Sequence, residues 1–461
     1  MLSLPNEILT TVCADDDLSA NDLAAIRLTC KELHATATKE FAQRYFKDPF
    51  VMMSRKSLEA LVDICKHPVF GPYVRKIQLL NNHFNQDTLR WFAQRVADAY
   101  ETKNVARRAS EKRQLQIFMD LLAEQYDLFE SGVDVELLGE VFKVLGAQGR
   151  PVAVASQRFL SSCPPIGWSK AVRGLNEDPI GIILGNPKVL STIKVLLEAA
   201  KVGACPISKL EVGVNCFRDH REERFPRHGL KGPLMSGLQE VRYDFEWRDY
   251  HELHNSLAYR QFASLLESVP SDLETLFVCS NARLTTPNAH TYTIMPSLAH
   301  GLSHSAVVGM QCKALKKIHL SKMFLHQYNM LRFLDVHEAS LKELTFDEIF
   351  LEGEWDQVLA HIAGAFSLEH FDLRKAHEVV PDRRRSVPVV IKPRYSRDCE
   401  LRSKNEMRQS LDMFIELQKA ERRAEEAASR ERAMRRLTNR RTGPLRRSSR
   451  IESQKPADIQ K

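Results

Sequence analysis

Six short runs in this chain share one spacing, and that spacing constrains the fold more than any other feature. "LEVGV" at 210, "LQEVRYDF" at 238, "LETLFVC" at 273, "LKKIHL" at 315, "LKELTF" at 341 and "LEHFDL" at 368 approximate L-x-x-L/V/I-x-L/F. The alternation in each predicts a short strand with one buried face. Most follow a helical stretch, as "YRQFASLLESVPSD" precedes 273 and "WDQVLAHIAGAFS" precedes 368. In the latter, Trp355, Val358, Leu359, Ile362 and Phe366 share one helix face.

A strand–helix unit of this size cannot bury its apolar side alone, so the repetition predicts stacked units in an irregular, leucine-rich-repeat-like α/β solenoid. The runs start 28, 35, 42, 26 and 27 residues apart, which excludes a regular horseshoe and calls for insertions. A doubly wound α/β domain uses the same alternation and stays open as the alternative. Upstream, "VRKIQLL" (74–80) reads as a strand, and residues 106–147 are mostly helix-forming, "LQIFMDLLAEQYDLF" most clearly. "NPKVLSTIKVLLEAA" (186–200) reads as a further helix.

The chain opens differently. Pro5 and Glu7 suit the first turn of a helix, and Ile8, Leu9 and Val12 give it an apolar side. Ser19 followed by Asp22 has capping-box form, after which Leu23, Ile26, Cys30 and Leu33 recur at helical spacing. About 40 residues cannot bury much surface alone, so this module must meet either the body of the chain or another protein. The expected fold class is α/β, or α+β with the helical module included. The boundaries fall at 1–45 for the module, 46–375 for the solenoid and 376–461 for a basic linker, charged helix and disordered tail.

Charge supports the last boundary. The net charge of +7 comes from the tail: residues 376–461 carry 23 Lys/Arg against 13 Asp/Glu, leaving 43 against 46 elsewhere. Nine arginines and one acid lie between 429 and 450, including Arg435-Arg436, Arg440-Arg441 and Arg446-Arg447. Such a segment reads as a nuclear-import signal, a phosphate-binding arm or a plain solvated tail. Few aromatics are interleaved, so base stacking is not expected. Nucleic acid is a possible partner through the tail only.

The nine cysteines are odd in number, widely spread and free of C-x-x-C pairs, which reads as core residues in a reducing compartment. No run of 18 apolar residues occurs, and the acidic start lacks the form of a secretory signal. A cytoplasmic or nuclear protein with no membrane partner is expected.

The paired runs "LPNEIL" and "DLSANDLAAIRLTCKEL" resemble the F-box, in particular its fungal form. Leu4-Pro5 and Glu7-Ile8-Leu9 match its first half; Leu18-Ser19, Asp22-Leu23, Arg27-Leu28-Thr29-Cys30-Lys31 and Leu33 match its second. The stretch "SLKELTFDEIFLEGEWDQVL" (340–359) also resembles fungal F-box proteins of the solenoid type. The resemblance covers about a tenth of the chain. It implies docking on the Skp-family adaptor of an SCF ubiquitin ligase, and through it on a cullin scaffold. Carried over by position, Leu4, Pro5, Ile8, Leu9, Leu23, Ile26 and Cys30 form the adaptor-facing or supporting set. It also implies a protein substrate on the C-terminal domain, for which Arg242, Tyr243 and Trp247 are candidate anchors.

No catalytic constellation accompanies this. A P-loop, a G-x-G-x-x-G turn and a G-x-S-x-G elbow are all missing from the sequence. "HGLSH" (300–304) has no Glu of an H-E-x-x-H site and reads as a polar loop. "FRDHREERFPRH" (217–228) mixes Arg among its acids and histidines and reads as solvated. No metal, no cofactor and no enzymatic activity are expected.

Overall fold

The computed structural model describes residues 5–102, 104–157, 164–173, 175, 189–216, 237–247, 272–280, 312–381, 388–393, 399–401 and scattered positions between 413 and 435. Three helices open it: α1 (Asn6–Cys13), α2 (Ala20–Arg27) and α3 (Lys31–Tyr45). The body then alternates strand and helix: β1 (Phe50–Val51), α4 (Arg55–Lys66), β2 (Lys76–Leu80), α5 (Gln86–Glu101), α6 (Val105–Ser131) and α7 (Val133–Gly146). Next come β3 (Val152–Gln157), α8 (Trp168–Ala171), α9 (Val189–Val202), β4 (Ile207–Cys216), β5 (Glu240–Trp247) and β6 (Thr275–Ser280). The last third holds β7 (Lys317–Ser321), β8 (Phe324–His326), α10 (Gln327–Val336), β9 (Glu343–Asp347), β10 (Phe350–Glu352), α11 (Trp355–Ala365) and β11 (His370–Arg374). It ends with β12 (His377–Pro381), β13 (Pro388–Pro393) and β14 (Cys399–Leu401).

All six leucine-spaced runs lie in strands of one ten-stranded sheet, ordered β1-β2-β3-β4-β5-β6-β7-β9-β11-β14 and parallel up to β11. The order follows the chain without reversal, whereas a doubly wound sheet reverses at its switch point. Register aligns the apolar positions in rows across the strands. Ile77, Val154, Leu210, Val241, Leu276, Ile318, Leu344 and Phe371 form one, each at most 2% exposed. Two residues on, Leu79, Ser156, Val212, Tyr243, Val278, Leu320, Phe346 and Leu373 form a second buried row. Each full burial of such an aliphatic side chain contributes about 1.5–3 kcal/mol, so the rows are a substantial part of the body's core.

Helices cover this apolar face. α11 buries the expected Trp355, Val358, Leu359, Ile362 and Phe366. α7 packs beside α4 and α9, and Gly203 after α9 permits the approach: a Cβ there would stand 2.6 Å from Phe142 Cβ and from the Lys143 backbone nitrogen. The helix-forming stretch 106–147 folds as two helices, divided at Gly132, whose φ of 70° ends α6 and starts α7. The α5–α6 hairpin has a small core of its own, in which Phe84, Phe92, Phe118 and Leu122 meet Phe50 and Trp168. The helix expected before residue 273 lies outside the described residues.

The last three units share a device with no leucine signature. Lys322, Glu348 and Lys375 all have positive φ, of 53°, 54° and 47°, and stand 26 and 27 residues apart. Each ends a main-sheet strand and turns the chain into a second sheet, ordered β13-β12-β10-β8, whose β8, β10 and β12 are parallel. The Lys322 N–H donates to Asp347 O (2.7 Å) and the Glu348 N–H to Arg374 O (2.8 Å), so the first two elbows are each tied to the next unit. The following residues, Met323, Ile349 and Ala376, are buried.

The expected boundary at 375/376 is displaced. The segment read as a linker contributes β12 and β13 to the second sheet and β14, antiparallel to β11, to the main one. Ile415 is 5% exposed and belongs to the main core, so the body reaches at least that residue. Proline misled the composition argument: Pro388 begins β13, an edge strand, where a missing N–H costs no ladder bond.

A left-handed backbone costs a non-glycine residue about 1–2 kcal/mol. Glu348→Gly is therefore expected to leave the urea midpoint unchanged or raise it, and Glu348→Val to lower it. Equal loss in both variants would show that the Glu348 side chain, not the backbone, is what the elbow needs.

Candidate functional site

The N-terminal module closes around a small core. Cys13, Leu23 and Ala37 are fully buried, with Leu18, Ile26 and Phe41 packed against them. The capping box forms as the spacing predicts: the Ser19 N–H donates to Asp22 Oδ2 (2.9 Å) and the Asp22 N–H to Ser19 Oγ (3.3 Å). Hydrogen bonds from the Ser19 side chain and backbone hold the Asp22 carboxyl below its usual range. Arg44 on α3 clasps the acidic loop, donating to Asp15 O (2.8 Å) and Cys13 O (3.4 Å) while pairing with Glu40 (2.5 Å). The clasp satisfies carbonyls at the α1 C-terminus, where helices leave them orphaned.

That core divides the residues the sequence grouped together. Leu9 and Leu23 are buried at 5% and 0%, so they hold α1 and α2 in place. Ile26 and Cys30 are half-buried, Cys30 as the N-cap of α3. Pro5 is exposed, as is Ile8 at 47%; Leu4 lies outside the described residues. Two more apolar side chains are outward and absent from the expected set: Val12 at 51%, one turn after Ile8, and Leu28 at 87% at the end of α2. The helical period offered Val12, since positions four apart share a face. Leu28 stands five positions after Leu23, roughly 140° around the helix and off the stripe of Leu23, Ile26, Cys30 and Leu33.

The module joins the body through other residues. The Arg27 guanidinium donates from Nε to Thr38 Oγ1 (2.9 Å) and lies 4.9 Å from the Phe41 ring centre and 5.5 Å from that of Phe70. Phe70, before β2, also stacks on Phe46 at 4.6 Å. The Lys47 carbonyl accepts from the Arg75 and Lys76 N–H groups (2.8 and 3.2 Å), fixing the chain's entry into β1.

The solvent face of the main sheet is the second candidate surface. Its charges are matched along the strands: Lys76 and Lys209 flank Glu211 (3.0 Å each), Lys209 reaches Glu240 (2.8 Å), and Lys317 pairs with Glu343. At the centre Phe277 and His319 stand with ring centres 5.4 Å apart. Arg242 pairs with Asp244 (2.8 Å) and Arg374 with Asp372 (2.6 Å). Of the three expected anchors, Arg242 is on this face, whereas Tyr243 is 1% exposed and belongs to the core. The Trp247 side chain lies outside the described residues, as do residues 217–228 and 300–304. In the tail, Arg435 is exposed and pairs with Glu431 (2.6 Å); Arg436, Arg440, Arg441, Arg446 and Arg447 lie outside the described residues.

Six cysteines, Cys13, Cys30, Cys65, Cys205, Cys279 and Cys312, are free thiols. Burial pushes Cys65 and Cys312 up to about 12 and Cys205 up to about 11, so these three are packing groups rather than thiolate nucleophiles. No family model matches the chain, and no curated protein does.

Three histidines give the body a pH dependence. Burial holds His319, His337 and His377 below their ordinary value of 6.5. Above that value they are neutral in both states. Below it the unfolded chain takes up protons the folded chain refuses, so stability falls with falling pH. The urea midpoint is expected to drop between pH 7.5 and pH 5.5, and less so in His337→Gln; an identical drop in that variant would discount His337.

Proposed function

We propose that this chain is a non-catalytic substrate-recognition subunit of an SCF-type ubiquitin ligase. In this reading the N-terminal module is an F-box that docks a Skp-family adaptor. The body is an irregular leucine-rich-repeat-like solenoid that offers a protein substrate the solvent face of its main sheet. The observation that carries the reading is the outward apolar set of Pro5, Ile8, Val12 and Leu28 on a module whose core is already closed. A helical cap would turn these side chains onto the body, yet the joint runs through Arg27, Phe41, Phe46, Lys47 and Phe70. Exposed apolar side chains grouped on one small module mark a binding surface.

For the body, the support is strand order that follows the chain and elbows that recur every 26–27 residues, within the 20–29 of leucine-rich repeats. The matched charges and central Phe277–His319 pair give that face the mixed polar and aromatic character of a protein-binding surface.

Co-expression of the full chain with the host's Skp-family adaptor, followed by pull-down, tests the first half. Capture is expected for the native chain and not for Pro5→Ala/Ile8→Asp. Because both positions are exposed, the double variant should melt with the native protein. Capture that survives the double change would remove the docking face from the argument.

A further inference from the structure

Near the seam between module and body stand cations that lack a carboxylate partner among the described residues. A cleft of about 540 Å³ opens there between Arg44, Lys47, Tyr73 and Arg75, with Asp16 and Glu40 on the module wall. Both acids face Arg44, at 3.9 and 2.5 Å. The remaining cations are arranged differently. Arg75 donates from Nη1 to Pro72 O (2.6 Å) and Val74 O (3.0 Å). Arg150, arriving from the turn between α7 and β3, donates from Nη2 to the same Pro72 O (3.1 Å) and to Gln148 Oε1 (2.6 Å). Two guanidinium groups thus converge on one carbonyl oxygen. Among the described residues, none of Lys47, Arg75 and Arg150 has a carboxylate partner.

Like charges held together cost free energy unless something compensates them. Here a partial desolvation and the neighbouring Arg150 pull Arg75 below the usual arginine range. Each guanidinium keeps further N–H donors beyond those spent on carbonyls, since it has five. Lys47, exposed on the wall of the cleft, adds three donors. A carboxylate supplies one charge and two oxygens. A phosphoryl group supplies close to two charges and three strong acceptors, which is the demand of two forks and an ammonium.

We infer that Arg75, Arg150 and Lys47 form a binding site for a phosphoryl anion, either inorganic phosphate or a phosphorylated side chain, at the joint between module and body. The inference goes beyond the adaptor reading and does not depend on it, because none of the three residues is in the Ile8 face.

The test uses the full chain, with thermal melting and calorimetry at fixed ionic strength. Inorganic phosphate is expected to raise Tm saturably, and chloride at matched ionic strength to leave it unchanged. Arg75→Gln/Arg150→Gln should weaken phosphate binding at least about tenfold, and Lys47→Gln about threefold, the order expected for charge-assisted contacts. Arg446→Gln/Arg447→Gln in the tail should leave it intact. Without phosphate, Arg150→Gln should melt no lower than the native chain, since it relieves a like-charge contact. A phosphoserine tripeptide competing with phosphate identifies a phosphorylated side chain as the source; failure to compete identifies the free anion. A response equal in chloride, or unchanged in both Lys47→Gln and the double arginine variant, overturns the site. A lower melting point for Arg150→Gln alone, without loss of phosphate binding, assigns Arg150 to holding Pro72 and also overturns it.

Discussion

No strand of the main sheet completes its hydrogen bonds or its core within its own unit, and the rest of the structure follows from that constraint. A strand such as β4 exchanges N–H and C=O bonds with β3 on one side and with β5 on the other, while Leu210 lies between Val154 and Val241 in the buried row. Stability is then shared between neighbours, in the manner of quasi-one-dimensional arrays. Register is correspondingly strict, because a slip of one residue would turn the whole apolar row toward water. Spacing between strands is free by contrast, since extra chain can leave on the helix side at little entropic cost. The α5–α6 hairpin between β2 and β3 is such an excursion, large enough to need a core of its own.

An array of this kind has two ends, and each is closed by different chemistry. At the first, β1 is only two residues long, and the Ile166 N–H donates to its Phe50 carbonyl (2.8 Å), covering the edge. At the other, β14 runs antiparallel to β11, which breaks the repeating crossover. Ile415 also belongs to the main core. Short, covered or reversed edge strands are what keep a sheet from pairing with another copy.

Much of this was legible from residue type and spacing, and the failures have physical causes. Leucine at fixed offsets marks the six main strands because a buried row demands branched apolar side chains at period two. β3 escaped because its sequence, "VAVASQ", places Ala and Ser where other strands place larger residues. The elbows escaped because a left-handed residue announces itself only when it is glycine or asparagine, and here it is Lys, Glu and Lys. At the module, helical periodicity located the apolar positions but could not say which would face inward. That depends on how α1 and α2 cross α3, a tertiary fact. Hence Leu9 and Leu23 moved into the core.

The joint has a consequence for the proposed role. A substrate-recognition subunit must hold its adaptor-binding module at a set orientation to the surface that carries substrate. A flexible linker would average that orientation away. In this chain α3 runs through Phe46 and Lys47 into β1 within five residues, and the Lys47 carbonyl takes two N–H donors from the start of β2. Phe70 packs on that turn from the body side, and Arg27 bridges it to the module core. The contacts come from α2, α3, the loop before β2 and β2 itself, so rotating the module would break all of them together. Rigidity at the joint therefore rests on aromatic packing and backbone hydrogen bonds, which salt does not screen. The cations beside it, Lys47, Arg75 and Arg150, have no carboxylate partner among the described residues; Arg75 and Arg150 spend their bonds on the carbonyls of Pro72 and Val74 and on Gln148.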